Sequence, residues 1–259
     1  MSASQNIITP AKPGSGFVLV LGSARSITLM EGIMNKRIWQ LFASAITVAL
    51  LSAVYPAFAA SEPEQLVTKA EETFKNFQND PQMSWLRSHL NAAKAVMIAP
   101  EVRKAGFVVG GSGGRAVLLA RDKETGNWSG PAFYTIANAS LGFQAGIEKS
   151  EVVMLIMTEK GLNSLLNDQL KLGADASIAA GPVGTGAEKG ITTDVVSFSR
   201  SKGIYGGVNL DGTLVTINDG WNARFYAKAV TPVDILVRHS VTNYNAQKLQ
   251  DQIAQAVIK

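Results

Sequence analysis

The sequence predicts an α+β fold, in which a Gly-rich, mainly antiparallel β-sheet is packed with N-terminal and C-terminal helices. Three observations carry this expectation. Twenty of the 24 glycines lie between Gly106 and Gly220, whereas residues 60–105 and 221–259 contain none. Both Gly-free flanks place apolar residues at helical spacing, while the middle breaks into short β-type runs separated by turn residues. Short turns between successive runs imply antiparallel pairing, because a parallel pair needs a long crossover.

The first helix starts at Ser61, with Glu64 three residues on, the spacing of a capping box. Leu66, Ala70, Phe74 and Phe77 form its apolar stripe, and Asn79-Asp80-Pro81 ends it. A second helix is predicted over 84–99, stopped by Pro100. Strands are predicted over 106–109, 115–121, 132–138, 141–148 and 151–157, with Asp122-Lys123-Glu124-Thr125-Gly126-Asn127 as the clearest turn. Leu162, Leu165, Leu166 and Leu170 mark a helix within this region. Further strands are predicted over 194–200, 203–209, 213–218 and 224–230. A terminal helix near 244–258 carries Leu249, Ile253 and Val257 on one face.

Ahead of this domain, Met34-Asn35-Lys36-Arg37, an apolar run from Ile38 and Ala57-Phe58-Ala59 make the three parts of a secretory signal. Residues 34–59 are therefore expected to be a signal peptide cut between Ala59 and Ala60, and residues 1–33 a start-site extension. The alternative is an uncleaved anchor, since the charge-free run to Ala60 is just long enough to span a bilayer. The protein is expected to be periplasmic or secreted. The segment 1–59 holds Lys12, Arg25, Lys36 and Arg37 against Glu31, which leaves 20 bases and 19 acids in residues 60–259. The sequence pI near 9.2 thus belongs partly to the export signal. A domain of net charge +1 lacks the field that draws in DNA or RNA, so no nucleic-acid partner is expected. With no cysteine, the chain has no disulfide, thiol nucleophile, Cys-ligated zinc or iron–sulfur cluster.

The catalytic and ligand-binding motifs fail on context. Gly110-Gly111-Ser112-Gly113-Gly114 matches a nucleophile elbow, and Asp211 or Asp219 and then His239 follow in hydrolase order. An elbow needs a helix after the serine, and the β-type run Arg115-Ala116-Val117-Leu118-Leu119-Ala120 follows instead. A serine hydrolase using Ser112 is the remote alternative. The same stretch is a degenerate dinucleotide fingerprint that lacks its helix. Gly181 to Gly190 has the composition of a phosphate loop without the Gly-Lys-Ser/Thr order, and reads as a mobile loop. Asn209-x-Asp211-Gly212 matches the middle of an EF-hand loop, but Gly207 and Asn218 stand where its end carboxylates belong, so a β-turn is expected. His89 and His239 have no partner at metal-ligand spacing. Neither a metal nor another cofactor is expected, and the chain reads as a non-enzyme.

A longer pattern runs in order through most of residues 85–237. It begins with Ala93-Lys94-Ala95-Val96, Ala99-Pro100, Lys104-Ala105-Gly106-Phe107 and Gly110-Gly111. It continues through Trp128-Ser129-x-Pro131-Ala132-Phe133-Tyr134, Ser140-x-Gly142-x-Gln144-x-Gly146 and Leu172-Gly173-Ala174-Asp175-Ala176-Ser177. Ala180-Gly181-Pro182-Val183-Gly184 comes next, and the strongest piece is Ser199-Arg200-Ser201-Lys202-Gly203-Ile204-Tyr205-Gly206-Gly207-Val208, then Gly212. This pattern resembles the SYLF domain family, a lipid-binding family that includes yeast actin regulators and exported bacterial members. Ala116 and Ala227 stand where that pattern often has Gly. The resemblance implies a single SYLF-like domain over 60–259 and a non-enzymatic phospholipid-binding module of the periplasmic cell envelope. The alternative is a structural or protein-interaction domain of the envelope, with an envelope protein as partner. Eukaryotic members bind phosphoinositides through an N-terminal amphipathic helix. Here residues 61–78 carry Lys69 and Lys75 against Glu62, Glu64, Glu71 and Glu72, a net of −2 that repels anionic headgroups. The expected lipid contacts are instead Lys94, Arg103 and Lys104, read as one basic cluster facing an anionic phospholipid or membrane surface. No actin partner is expected for an exported protein.

Overall fold

The Glu64 carboxylate accepts the Ser61 N–H at 2.7 Å and so caps α1 (Glu62–Asn79), the helix predicted there. The computed structural model describes residues 60–106, 109–141, 146–167, 169–184, 192–208 and 210–258. The predicted extension 1–33 and signal segment 34–59 lie outside these described residues. After α1 a 3₁₀ turn leads into α2 (Ser84–His89). The chain then enters β1 (Ala95–Gly106), β2 (Val109–Arg121), β3 (Trp128–Leu141) and β4 (Gly146–Ile156). Three short elements come next: α3 (Glu159–Leu165), β5 (Gln169–Lys171) and β6 (Ile178–Ala180). β7 (Val195–Ser201), β8 (Ile204–Gly207) and β9 (Leu214–Ile217) complete the strands. Helices α4 (Asp219–Tyr226), α5 (Pro232–Leu236) and α6 (Tyr244–Ile258) close the domain.

The nine strands form one sheet in the order β5-β9-β3-β2-β1-β4-β7-β6, with β8 also on β7. Strands β1 to β4 stand in the spatial order of a Greek key, because β4 returns to pair with β1. Every strand pair is antiparallel except β6 with β7, so the sheet is mainly antiparallel as predicted.

Both faces of the central strands are covered. On one face Val96, Ile98, Val117, Leu119, Val153 and Phe198 pack against Phe74 and Phe77 of α1, α2 and α6. On the other, Met97, Leu118, Tyr134 and Met154 pack against α3, α5 and Leu170. This double burial explains the main departure from the sequence reading. The helix predicted over 84–99 ends at His89, and Ala95 to Ala99 lie in β1 with at most 1% exposure. A strand buried on both faces reads as a continuous apolar run, which periodicity does not separate from a helix. Pro100 falls where the β1 register shifts, a bulge that tolerates a residue without an N–H.

The strand predicted over 224–230 is also corrected. Asn218 accepts the Trp221 N–H and starts α4, which runs through Phe225 and Tyr226. The runs predicted over 106–109 and 141–148 straddle strand ends, with 107–108 and 142–145 outside the described residues. Most of the loop predicted over 181–190 lies outside them as well. Gly181 itself is pressed against β7, where a Cβ would come within 2.2 Å of the Phe198 ring.

Candidate functional site

The bulge in β1, the start of β4 and the β7–β8 turn meet at one end of the sheet. Between them lies a depression of about 400 Å³ lined by Glu101, Lys149, Glu151, Arg200 and Lys202. Strand pairing sets this arrangement: Arg103 stands opposite Lys149, and Glu151 opposite Arg200. Glu101 is the shared acceptor. Arg103 hydrogen-bonds to it and Lys149 lies 3.4 Å away, so these cations hold its carboxyl below the usual carboxylate range. Arg200 pairs with Glu151 in a half-buried contact, stacks 5.6 Å from the centre of the Tyr205 ring and has its pKa raised by the carboxylate. Tyr205 donates to Asn76 O of α1 at 3.2 Å, which ties the hairpin to the helix, and burial raises the Tyr205 pKa.

The hairpin tip differs from this paired ground. Lys202 and Gly203 have φ of 49° and 78°, the two-residue turn whose twist suits a hairpin. Lys202 is exposed and makes no ion pair among the described residues, and Ile204 beside it is 75% exposed.

The three contacts expected from sequence do not form one cluster. Lys94 precedes β1 and faces Glu159 at 3.9 Å, whereas Arg103 lies nine residues along the strand, roughly 30 Å away. Lys104 is adjacent to Arg103, but neighbours on a strand point to opposite faces. It stands opposite Glu148 and Ser112, while Arg103 stands opposite Lys149 and Gly113. The sequence reading placed these residues on a connector, where a helix end and a loop would bring them together; an extended strand separates them instead. It passed over Lys149 and Lys202. The signal for Lys202 was present, since it occupies the strongest stretch of the family-like pattern.

The serine-hydrolase alternative meets a continuous strand. Ser112 lies within β2, which runs on to Arg121, so no helix follows the serine. His239 bonds Asp122 Oδ2 at 3.1 Å, not Asp211 or Asp219, and Asp122 lies about 30 Å of strand from Ser112. His89 stacks on Trp85 with ring centroids 3.8 Å apart. Among the described residues no group of three or more His, Asp or Glu could hold a metal ion.

A second concavity, about 1120 Å³, separates α1 from α6 and is bordered by Glu64, Glu71, Glu72, Asp251, Lys75 and Lys248. Its acidic balance opposes an anionic ligand. The amphipathic helix that the resemblance singles out is also committed elsewhere, because Leu66, Val67, Ala70, Phe74 and Phe77 are buried in the core.

Comparison with known proteins now bears on this architecture. Residues 137–256, from β3 into α6, match the Ysc84 family, described as Las17-binding protein actin regulator. Over these residues the chain is similar to a SYLF, or Ysc84-type, domain. It is 33% identical over 154 residues to Protein YSC84 of Saccharomyces cerevisiae, covering 57% of this chain and 32% of that protein. It is 30% identical over 154 residues to the human SH3 domain-containing YSC84-like protein 1, covering 58% and 45% respectively. LAS seventeen-binding protein 3 of S. cerevisiae is 32% identical over the same length, covering 57% and 33%. The SYLF match thus spans less than half the length of each of these relatives. The name of LAS seventeen-binding protein 3 is that of a binding protein, and the family description is that of an actin regulator.

Proposed function

We propose that this SYLF protein is a non-enzymatic, exported module of the cell envelope that binds anionic phospholipid in the periplasm. The observation that supports this reading is the line of bases across adjacent strands at one sheet end, Arg103, Lys149 and Lys202, on a domain whose balance elsewhere is close to neutral. Each such base contributes about 1 kcal/mol near an anionic surface. Of the three contacts expected from sequence, Arg103 belongs to this line, Lys104 flanks it on the opposite face, and Lys94 lies at the far end. The test is co-sedimentation with phosphatidylglycerol-containing vesicles at low salt. Binding should weaken as salt screens the charges. Arg103→Glu should weaken it about tenfold or more, while Lys94→Glu leaves it unchanged. Absence of binding at low salt would overturn the reading.

The relatives' names support a second reading, a protein-docking domain of the envelope without lipid binding. Crosslinking in cells that captured an envelope protein, together with failure to sediment with vesicles, would favour it. Actin regulation belongs to the family description; in this reading an exported domain has no actin to meet.

A further inference from the structure

Resting on the phospholipid reading, we infer that the β7–β8 hairpin tip is the membrane-contacting element, with Ile204 entering the headgroup boundary while Lys202, Lys149 and Arg103 meet lipid phosphates. Ile204 is the most exposed large aliphatic residue among the described side chains, at 75%. A lone exposed Ile needs no explanation, but this one sits beside the turn of a paired hairpin. The hairpin is fixed by pairs from Phe198–Gly207 to Ser201–Ile204, and Tyr205 anchors it to α1. The charge around it is complementary to an anionic bilayer. Arg200 and Glu151 neutralise each other, and on the adjoining β1–β4 strand pair and the hairpin tip Arg103, Lys104, Lys149 and Lys202 stand against Glu101 and Glu148. The net of +2 concentrated here exceeds the +1 of residues 60–259 as a whole, so the rest of the domain is acidic on balance. An anionic surface therefore attracts this end and repels the α1–α6 face. The partner of this tip is an anionic bilayer, because an apolar tip ringed by cations suits a surface that presents phosphate above hydrocarbon.

The test compares the purified protein with three variants on phosphatidylcholine vesicles containing phosphatidylglycerol. Ile204→Asp should lower affinity about tenfold. Lys202→Asn removes the charge with a residue that suits positive φ, and should lower affinity about fivefold. Lys69→Gln/Lys75→Gln on the exposed side of α1 should leave affinity unchanged. Because the chain has no cysteine, Ile204→Cys also offers a unique attachment point for an environment-sensitive fluorophore. Its emission should shift to the blue on these vesicles, and the same label at Lys69→Cys should not shift. If the parent protein binds and the Ile204→Asp and Lys202→Asn variants bind equally, with no shift at position 204, the tip is refuted and the phospholipid reading stands. If the parent protein does not bind, both fall.

Discussion

Ala227 closes α4 in the left-handed region, at φ 52° and ψ 26°, with its N–H donating to Ala223 O. A Cβ in that region is opposed by the neighbouring carbonyl at roughly 1–2 kcal/mol, which is why glycine is common just past a helix end. The family-like pattern marks this position as one that often holds Gly, but the substitution looks conservative until the backbone is known. Ala227→Gly should therefore stabilise the protein by about 0.5–1 kcal/mol, the relieved strain exceeding the added flexibility of the unfolded chain. Thermal unfolding should show a midpoint about 1–4 °C higher. The same limit applied to the candidate site. The charges of Arg103 and Lys104 were legible, whereas their opposite orientations depend on β1 being a strand.

At the scale of elements, legibility followed periodicity and turn chemistry. Helix α1, the 122–127 turn and the terminal helix were readable because one face of each is solvated, so polar and apolar residues alternate at a definite period. Ala95 to Ala99 and Arg224 to Val230 were not, since burial on both faces or an aromatic-rich helix erases that period. The junction of α3, β6 and β7 was also invisible, because it depends on residues distant in sequence. There Asp194, 6% exposed, accepts Thr158 Oγ1 at 2.5 Å, Ser177 Oγ at 2.7 Å and Ser177 N at 2.9 Å, with Lys160 3.4 Å away. The Thr158 hydroxyl, then the Ser177 donors and Lys160, lower its pKa from 3.8 to about 2. A carboxyl depressed in the folded state stabilises above its unfolded pKa and loses that contribution as pH falls through the folded value. The junction should thus lose roughly 1–2 kcal/mol between about pH 4 and pH 2. Urea denaturation at stepped pH should show this acid limb, and Asp194→Asn should be less stable at pH 7 with a shallower limb.

The whole molecule divides by charge as well as by structure. Residues 1–59 carry four bases and one acid, while residues 60–259 are nearly balanced. The second compact unit is Ala59–Lys259, close to the expected cleavage point. Its first helix is capped from within residues 60–65: Glu64 accepts from Ser61 N, and Gln65 Nε2 donates to Ala60 O at 2.7 Å. A cut between Ala59 and Ala60 therefore leaves the cap of α1 intact, whereas a cut a few residues later would remove the Ser61 donor and fray the helix that covers β1 and β2. Among the described residues no helix is long and apolar enough to cross a membrane. The stable cellular product should begin at Ala60, carry a net charge near +1 and focus well below the pI near 9.2 of the uncut chain. N-terminal sequencing with intact mass measurement checks this. A product that retains residues 34–59 and partitions with membranes after a salt wash would show an uncleaved anchor, and would move the lipid contact from the hairpin tip to the N-terminus.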